Sequence, residues 1–239
     1  WRRWHAESRW DDPRERAKML RHLPPTLPRR LVAAGDRLFV TLGYEAPVSE
    51  LDAASGRVIR EFSETAMADE IVHAGGVLLL RLRTETSPPD RDMWSSQPEN
   101  QRGRAAAIDL KTGRLLWQTD VEPMAPLTLA TSAGRVFFSN YEQVVCLDLK
   151  SGKERWRSQS LEMRRGHRGT AGTLVAQQDV VLYAHTPKRG GSYYGELKCF
   201  AADSGELLWT GPRYAGPGPA NAPDLFVVDD LVWVGETRI

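Results

Sequence analysis

The sequence has few of the residues that build disulfide frameworks, metal centres and membrane spans. Only two of its 239 residues are cysteine, and five are histidine. Two thiols exclude a disulfide-rich scaffold, and no histidine has metal-ligand spacing to another histidine or cysteine. No apolar run reaches the ~20 residues of a membrane-spanning helix. The formal net charge of +1 gives the molecule no overall preference for nucleic acid or acidic membranes.

Recognisable catalytic motifs are absent as well. The sequence has no nucleophile-elbow pattern around a serine and no glycine-rich phosphate loop. His73, which precedes a predicted turn, is interpreted as a structural histidine. The sequence therefore predicts no catalytic residues, no metal ligands and no cofactor-binding residues.

What the sequence does contain is a ten-residue phrase that occurs four times. The copies LDAASGRVIR, IDLKTGRLLW, LDLKSGKERW and FAADSGELLW begin at Leu51, Ile108, Leu147 and Phe200. Each copy joins an apolar start, a Ser-Gly or Thr-Gly pair and a short β-prone run. An internal repeat of this kind determines the architecture of a chain.

Each phrase predicts a β-hairpin with a turn of four to five residues. A glycine at one fixed position indicates positive φ, and an aspartate four residues earlier can accept the free N–H groups of the turn. The alternative is a cation site built from these oxygens, but Ala201 replaces the aspartate in the fourth copy. The turn residues of the repeat are Asp52, Gly56, Asp109, Gly113, Asp148, Gly152 and Gly205.

Three copies of the phrase end in tryptophan, at Trp117, Trp156 and Trp209, whereas the first copy has Arg60. A large ring at one point of each repeat predicts packing between neighbouring sheets, where it buries much area. Stacking on a chromophore or cofactor is the alternative role. The two cysteines occupy matching positions in adjacent repeats, too far apart for a disulfide, and we expect buried free thiols at Cys146 and Cys199.

A small turn followed by an apolar run precedes each phrase, as at Gly35-Asp36 before Leu38 to Val40. With an earlier β-prone stretch, each unit becomes four antiparallel strands, A to D. Such units, repeated every roughly 40 to 55 residues, are typical of β-propeller blades. The predicted fold is all-β, a partial β-propeller of about four and a half blades at residues 31–63, 68–121, 127–160, 170–212 and 224–239.

Residues 1–30 form a separate, basic segment that contains Trp1, Trp4 and Trp10. The stretch Asp12–Glu15 resembles a helix start with an N-cap, a proline and a capping box. We expect a short helix to about His22 that serves as a connector, packed on a blade or a neighbouring domain. Polyanion binding is the alternative role, although nucleic acid is not the expected partner.

Two units carry insertions between strands B and C, at residues 83–104 and 185–196. In a propeller these loops share one rim with the D-to-A connections, opposite the C–D turns of the phrase. Loops held by a rigid scaffold concentrate function. Cationic groups beside aromatic ones suit an anionic or glycan-like ligand or a protein surface, with solvated loop charge as the alternative. The residues predicted for this face are Trp94, Arg164, Arg165, His167, Arg168, Lys188, Arg189, Tyr193 and Tyr194.

The turn aspartate, the Ser/Thr-Gly pair and the closing tryptophan resemble the tryptophan-docking repeats of the pyrroloquinoline-quinone (PQQ)-like propeller superfamily. The resemblance covers about residues 31–239, and AIDLKTGRLLW and VCLDLKSGKERW match the repeat well. The superfamily includes quinoprotein alcohol dehydrogenases and cofactor-free relatives, such as the lipoprotein of the outer-membrane β-barrel assembly machine. Its propellers usually have about eight blades, so the resemblance implies a chain that is part of a longer polypeptide.

The resemblance is closer to the cofactor-free relatives. The dehydrogenases carry an adjacent cysteine pair over the cofactor, which this sequence lacks, and their calcium ligands cannot be assigned to numbered positions here. We expect a non-catalytic scaffold, without cofactor, that binds a protein or other domains within a larger protein or envelope complex. By resemblance its compartment is the periplasm or cell envelope. The alternative is a divergent quinoprotein dehydrogenase that uses PQQ with calcium and needs further blades.

Overall fold

A computed structural model describes residues 29–43, 45–84, 102–162, 172–185, 194–214, 225–228 and 231–234. These residues form successive antiparallel sheets, each with its strands in chain order. The predicted partial β-propeller is confirmed. The helix expected before His22 lies outside the described residues, and the only helical structure within them is a 3-10 turn at Ser63–Thr65.

Four sheets are complete blades and a fifth is a half blade. The first blade comprises β1 (Leu31–Ala34), β2 (Arg37–Thr41), β3 (Val48–Asp52) and β4 (Val58–Phe62). The second comprises β5 (Ala68–Ala74), β6 (Val77–Arg83), β7 (Arg102–Asp109), β8 (Leu115–Gln118) and a short β9 (Glu122–Pro123) that pairs with β7.

The later blades repeat the same order. The third comprises β10 (Ala130–Ser132), β11 (Arg135–Ser139), β12 (Val144–Asp148) and β13 (Glu154–Arg157). The fourth comprises β14 (Thr173–Gln177), β15 (Val180–His185), β16 (Tyr194–Ala201) and β17 (Leu207–Tyr214). The half blade pairs β18 (Leu225–Val228) with β19 (Leu231–Val234).

The core of the molecule lies between blades. Successive residues of a strand point to opposite faces, so one strand supplies two junctions. In β6, Leu78 and Leu80 face the first blade while Leu79 faces the third. In β11, Phe138 faces the second blade and Phe137 the fourth. A strand covered on both faces must be apolar at nearly every position, which explains the continuous apolar runs after each A–B turn.

The two cysteines behave as the sequence predicts. Cys146 and Cys199 are free and buried, and each lies opposite the tryptophan of its own hairpin, Trp156 or Trp209. Burial raises the pKa of the Cys146 thiol to about 11 and also raises the pKa of Cys199. Both thiols therefore stay protonated at neutral pH and pack as small apolar groups. Across the described part of the chain, there is no helix of the length and apolarity that crossing a membrane requires.

Candidate functional site

The loop face predicted from the sequence falls almost wholly outside the described residues. Tyr194 begins β16, but its side chain is not described. The strands that flank the two insertions run as expected, with β6 and β15 ending and β7 and β16 beginning at the same rim. The remaining residues of that face lie outside the described ranges and stay predictions: Trp94, Arg164, Arg165, His167, Arg168, Lys188, Arg189 and Tyr193.

The repeat phrase builds a docking turn on the opposite rim of each complete blade. In the third blade, Asp148 Oδ1 accepts hydrogen bonds from the backbone N–H and the hydroxyl of Ser151, both at 2.9 Å. The N–H of Gly152 donates to the Asp148 carbonyl at 2.8 Å, and its φ is +68°. A hydrogen bond from Arg155 and those from Ser151 hold the pKa of Asp148 well below its usual range. The predicted turn is confirmed.

Trp117 and Trp156 each lie on the docking turn of the following blade. The Nε1–H of Trp117 donates to the Leu149 carbonyl at 2.9 Å, and that of Trp156 donates to the Ala202 carbonyl at 3.2 Å. A Cβ atom on Gly152 would lie 2.5 Å from the ring of Trp117. The turn glycine is therefore required for close contact with the ring as well as for positive φ. The predicted packing between sheets is confirmed for these two tryptophans.

The first and fourth copies of the motif differ from the others. Trp209 lies opposite Cys199, in the register that Trp156 has opposite Cys146, and yet it is 43% exposed. The predicted packing of Trp209 is therefore not seen within the described residues. In the first blade, Arg60 takes the tryptophan position and donates from Nη2 to the Leu110 carbonyl of the second docking turn. Arg60 thus reaches the carbonyl that the indole reaches at the later junctions.

A group of four charges, three of them buried and one partly exposed, lies where the inner strands of the first three blades meet. We call it the inner-strand cluster, and it consists of Arg29, Asp69, Glu70 and Arg81. Glu70 is 1% exposed, and its Oε1 accepts from Arg29 Nη2 at 2.6 Å and from the Leu129 N–H at 3.2 Å. One carboxylate therefore joins Arg29, which lies two residues before β1, with strand β5 and the start of the third blade.

Arg81 is the cationic centre of this cluster. It is fully buried in β6, and its Nη1 donates to Asp69. Its Nε and Nη2 donate to the Met124 carbonyl at 3.1 and 2.8 Å. A buried guanidinium is tolerated only when its charge and its N–H groups are matched in this way. Arg81 consequently ties the second blade to the connection that leads into the third.

Burial also changes the titration of the cluster. Desolvation raises the pKa of Glu70 to about 7, because it outweighs the opposing attraction of Arg29. The charges that face Glu70 are Arg29, Asp69 and Arg81. Glu70 therefore changes its charge near neutral pH at a position where it contacts three blades.

The inner-strand cluster was missed by the sequence analysis. Two signals were present: Arg81 inside the apolar run VLLLRLR, and the acidic pair Asp69-Glu70 at the start of β5. A charge within a strand that is buried on both faces requires a buried partner. The sequence does not tell which blade supplies that partner, because the contacts join residues up to 59 positions apart.

A smaller polar group lies at the loop rim of the fourth blade. His185 is 1% exposed and stacks on Tyr183, with ring centroids 5.2 Å apart. Its Nε2 lies 3.3 Å from Glu196 Oε2, which Lys198 Nζ approaches at 3.1 Å. These side chains connect β15 and β16 beside the second insertion.

The described residues do not match the cofactor site of a quinoprotein. No cluster of three or more His, Cys, Asp or Glu side chains that could hold a metal ion occurs in the described ranges. Asp69 and Glu70 are bound by arginines, and the rings of Trp117 and Trp156 lie on docking turns. These four side chains are therefore engaged in structural contacts, and the expected absence of a cofactor stays a prediction.

A protein-family model described as "Outer membrane protein assembly factor BamB" matches residues 2–238. Among curated proteins, the dehydrogenase subunit of a quinone alcohol dehydrogenase from Gluconobacter oxydans (strain 621H) is 27% identical over 149 residues, 53% of this chain and 18% of the relative. The quinoprotein alcohol dehydrogenase PedH from Pseudomonas putida is 26% identical over 125 residues, 47% of this chain and 20% of the relative. The chain thus spans about a fifth of the length of these relatives.

Solved structures share the fold. BamB from Moraxella catarrhalis has a TM-score of 0.55 at 17% identity, covering 86% of this chain and 57% of that chain. The quinohemoprotein alcohol dehydrogenase ADHIIG from Pseudomonas putida HK5 has a TM-score of 0.54 at 16% identity, covering 89% and 38%. The predicted PQQ-like propeller is confirmed. Both an assembly factor and dehydrogenases share it, so the expected closeness to cofactor-free relatives stays a prediction.

Proposed function

The chain belongs to the PQQ-like propeller family described as outer membrane protein assembly factor BamB, and from this premise we propose that it is a non-catalytic interaction scaffold. It would serve a larger protein or an envelope complex in the periplasm or cell envelope. One observation carries the proposal: the buried and turn carboxylates of the described part are engaged in structural contacts, within turns, within blades or between blades. The buried carboxylates meet arginines, and the turn aspartates bind their own turns.

The geometry supports a platform with two different rims. Docking turns stiffen one rim, because each turn holds both its own hairpin and the preceding blade. The other rim carries the ends of the strands that flank the two insertions. Loops on a rigid sheet array present side chains for binding at a small entropic cost. We propose that a protein partner, or an anionic or glycan-like ligand, binds this loop rim.

The test compares the two rims in the full-length protein expressed in its native cells. One variant replaces Arg164, Arg165 and Arg168 with serine. The matched control replaces Lys111, Lys150 and Lys153, which are exposed on the docking-turn rim, with serine. We expect crosslinked partners to be lost from the loop-rim variant and retained by the control. Equal retention in both variants, or equal loss from both, would overturn the assignment of the loop rim.

The second candidate is a quinoprotein dehydrogenase, favoured by the dehydrogenases among the curated relatives. A ligand that prefers the native state raises the melting temperature. The experiment is a thermal titration of the full-length protein with calcium alone, and with calcium plus PQQ. The scaffold proposal expects no additional shift with PQQ. A saturable increase that requires PQQ would replace the scaffold with the dehydrogenase.

A further inference from the structure

We infer that the junction between the first and second blades is a salt-dependent opening point of the propeller, held by Arg60 at the position where the later junctions use tryptophan and by Arg29 at its inner end. The described part of the chain contains three junctions between complete blades. Each contains a buried apolar cluster, so apolar burial alone does not distinguish them. The difference lies in the residue that docks on the next blade.

At the outer end of the first junction, a guanidinium replaces the indole. Arg60 Nη2 donates to the Leu110 carbonyl, and its Nε lies 2.5 Å from Glu50 Oε2. Glu50 also forms an ion pair with Arg37, whose Nε lies 3.2 Å from Glu50 Oε1. Glu50, which is 6% exposed, therefore orients the arginine that reaches across to the second blade.

The contact of Arg60 with the docking turn is looser than that of the tryptophans. A Cβ atom on Gly113 would lie 3.0 Å from Nη1 of Arg60, the end of a flexible side chain. The same atom on Gly152 would lie within 2.8 Å of three ring atoms of Trp117. The side chain of Arg60 is 32% exposed, whereas Trp117 is 9% exposed. Water and ions therefore reach the first docking contact more readily than the second.

The inner end of the same junction is ionic as well. The N–H of Ile71 donates to the Arg29 carbonyl at 2.8 Å, and the side chain of Arg29 binds Glu70 at 2.6 Å. The side chain of Arg29 is 46% exposed. The first junction is thus held by an arginine at each side of the sheet. Arg29 binds the second blade at the inner strands, and Arg60 binds it at the outer strand.

The two kinds of contact respond differently to salt. Added salt screens the charge of a partly exposed guanidinium, since the Debye length falls from about 10 Å at 0.1 M to about 3 Å at 1 M. Contacts between an indole and a glycine turn carry no net charge, and burial of apolar surface is not weakened by screening. The second junction also has one ion pair between blades, Arg157 Nη1 to Glu122 Oε2 at 3.4 Å, but its indole contact persists at high salt. Opening at the first junction should therefore become more frequent as salt rises, while the two tryptophan junctions should change less.

The test is amide hydrogen exchange of the full chain at 0.05 and 0.5 M NaCl. We expect exchange in β2 and β3 to accelerate about twofold to fivefold per ion pair at high salt, and exchange in β11, β12 and β15 to change less. Glu50→Gln keeps the shape of the side chain and removes its charge. Because the Arg29–Glu70 pair remains, amide exchange in the first blade of this variant should be faster at low salt, and the part of the salt response that Glu50 and Arg60 supply should be lost.

The matched control is Arg155→Gln, which removes an arginine–aspartate contact within the third blade. Because Arg155 and Asp148 belong to one hairpin, this variant should leave the salt response of the first blade as it is. Arg60→Trp supplies a further comparison and should reduce the salt response if the indole seats on the second docking turn. An equal salt response in all blades, or a normal response in Glu50→Gln, would overturn the inference.

Discussion

Trp117 and Trp209 occupy the same position of the repeat but lie in different surroundings. Both stand on strand D opposite a small residue of strand C, Ala107 or Cys199. Trp117 is 9% exposed because the third docking turn covers its ring, whereas Trp209 is 43% exposed. The difference shows that a blade positions its tryptophan and that the following blade buries it. The tryptophan therefore contributes to the free energy of unfolding through the junction with the next blade rather than within its own repeat.

The largest effect is expected for Trp117→Ala. It removes a ring packed on Gly152 and the hydrogen bond to the Leu149 carbonyl. The free energy of unfolding should fall by about 3 to 5 kcal/mol, as for other buried aromatic truncations. Urea denaturation measures the change. A loss below about 1 kcal/mol would show that the junction does not depend on this ring.

Gly152→Ala perturbs the same junction, between the second and third blades, from the side of the docking turn. The new methyl group meets both a φ of +68° and the ring of Trp117 at 2.5 Å. We expect a loss of about 2 to 4 kcal/mol. In the double variant with Trp117→Ala the steric part of the cost should disappear, so the two losses should not add. Simple additivity would mean that only backbone strain is involved.

Glu70→Gln tests the junctions at the inner strands of the blades, where Glu70 contacts Arg29 and Leu129. The folded pKa of Glu70 is about 7, above the ordinary 4.5, so the folded state binds this proton more tightly than the unfolded state does. The contribution of this bound proton to the free energy of unfolding is largest below about pH 4.5. It is lost as pH rises through about 7, a change of at most about 3 kcal/mol.

The variant should therefore lose stability less steeply than the native protein between pH 5 and pH 8. Chemical denaturation at four pH values in this range gives the two slopes. Since other titrating groups are common to both proteins, the difference between the slopes isolates Glu70. Identical slopes would show that Glu70 does not change its charge in this window.

The smallest effect is expected for Trp209→Ala. Because the ring is nearly half exposed and has no docking turn over it among the described residues, its removal should cost less than about 1 kcal/mol in this chain. The same substitution in a longer polypeptide that supplies a following docking turn should cost as much as Trp117→Ala. Equal small losses in both proteins would contradict the role assigned to the following blade.

Much of the fold could be predicted from the repeat, because the residues that define a hairpin lie within ten positions of one another. Gly56 and Gly113 have the positive φ that their spacing predicts, and Asp52 and Asp109 bind their turns. The inner-strand cluster could not be predicted to the same extent. The partner of Glu70 at Leu129 lies in another blade, and no local pattern specifies a contact of that range.

By itself, the sequence determined the hairpins, their order and the apolar character of the strands between blades, since turn chemistry and alternation act over a few residues. It also determined that two thiols would be buried and unpaired. Only the tertiary structure decided that Arg60 reaches the Leu110 carbonyl of the second docking turn and that Arg81 and Glu70 join three blades. It also decided that Trp209 stays exposed while Trp117 is covered. These outcomes depend on which surfaces neighbouring blades bring together, and burial, ion pairing and pKa are properties of those surfaces.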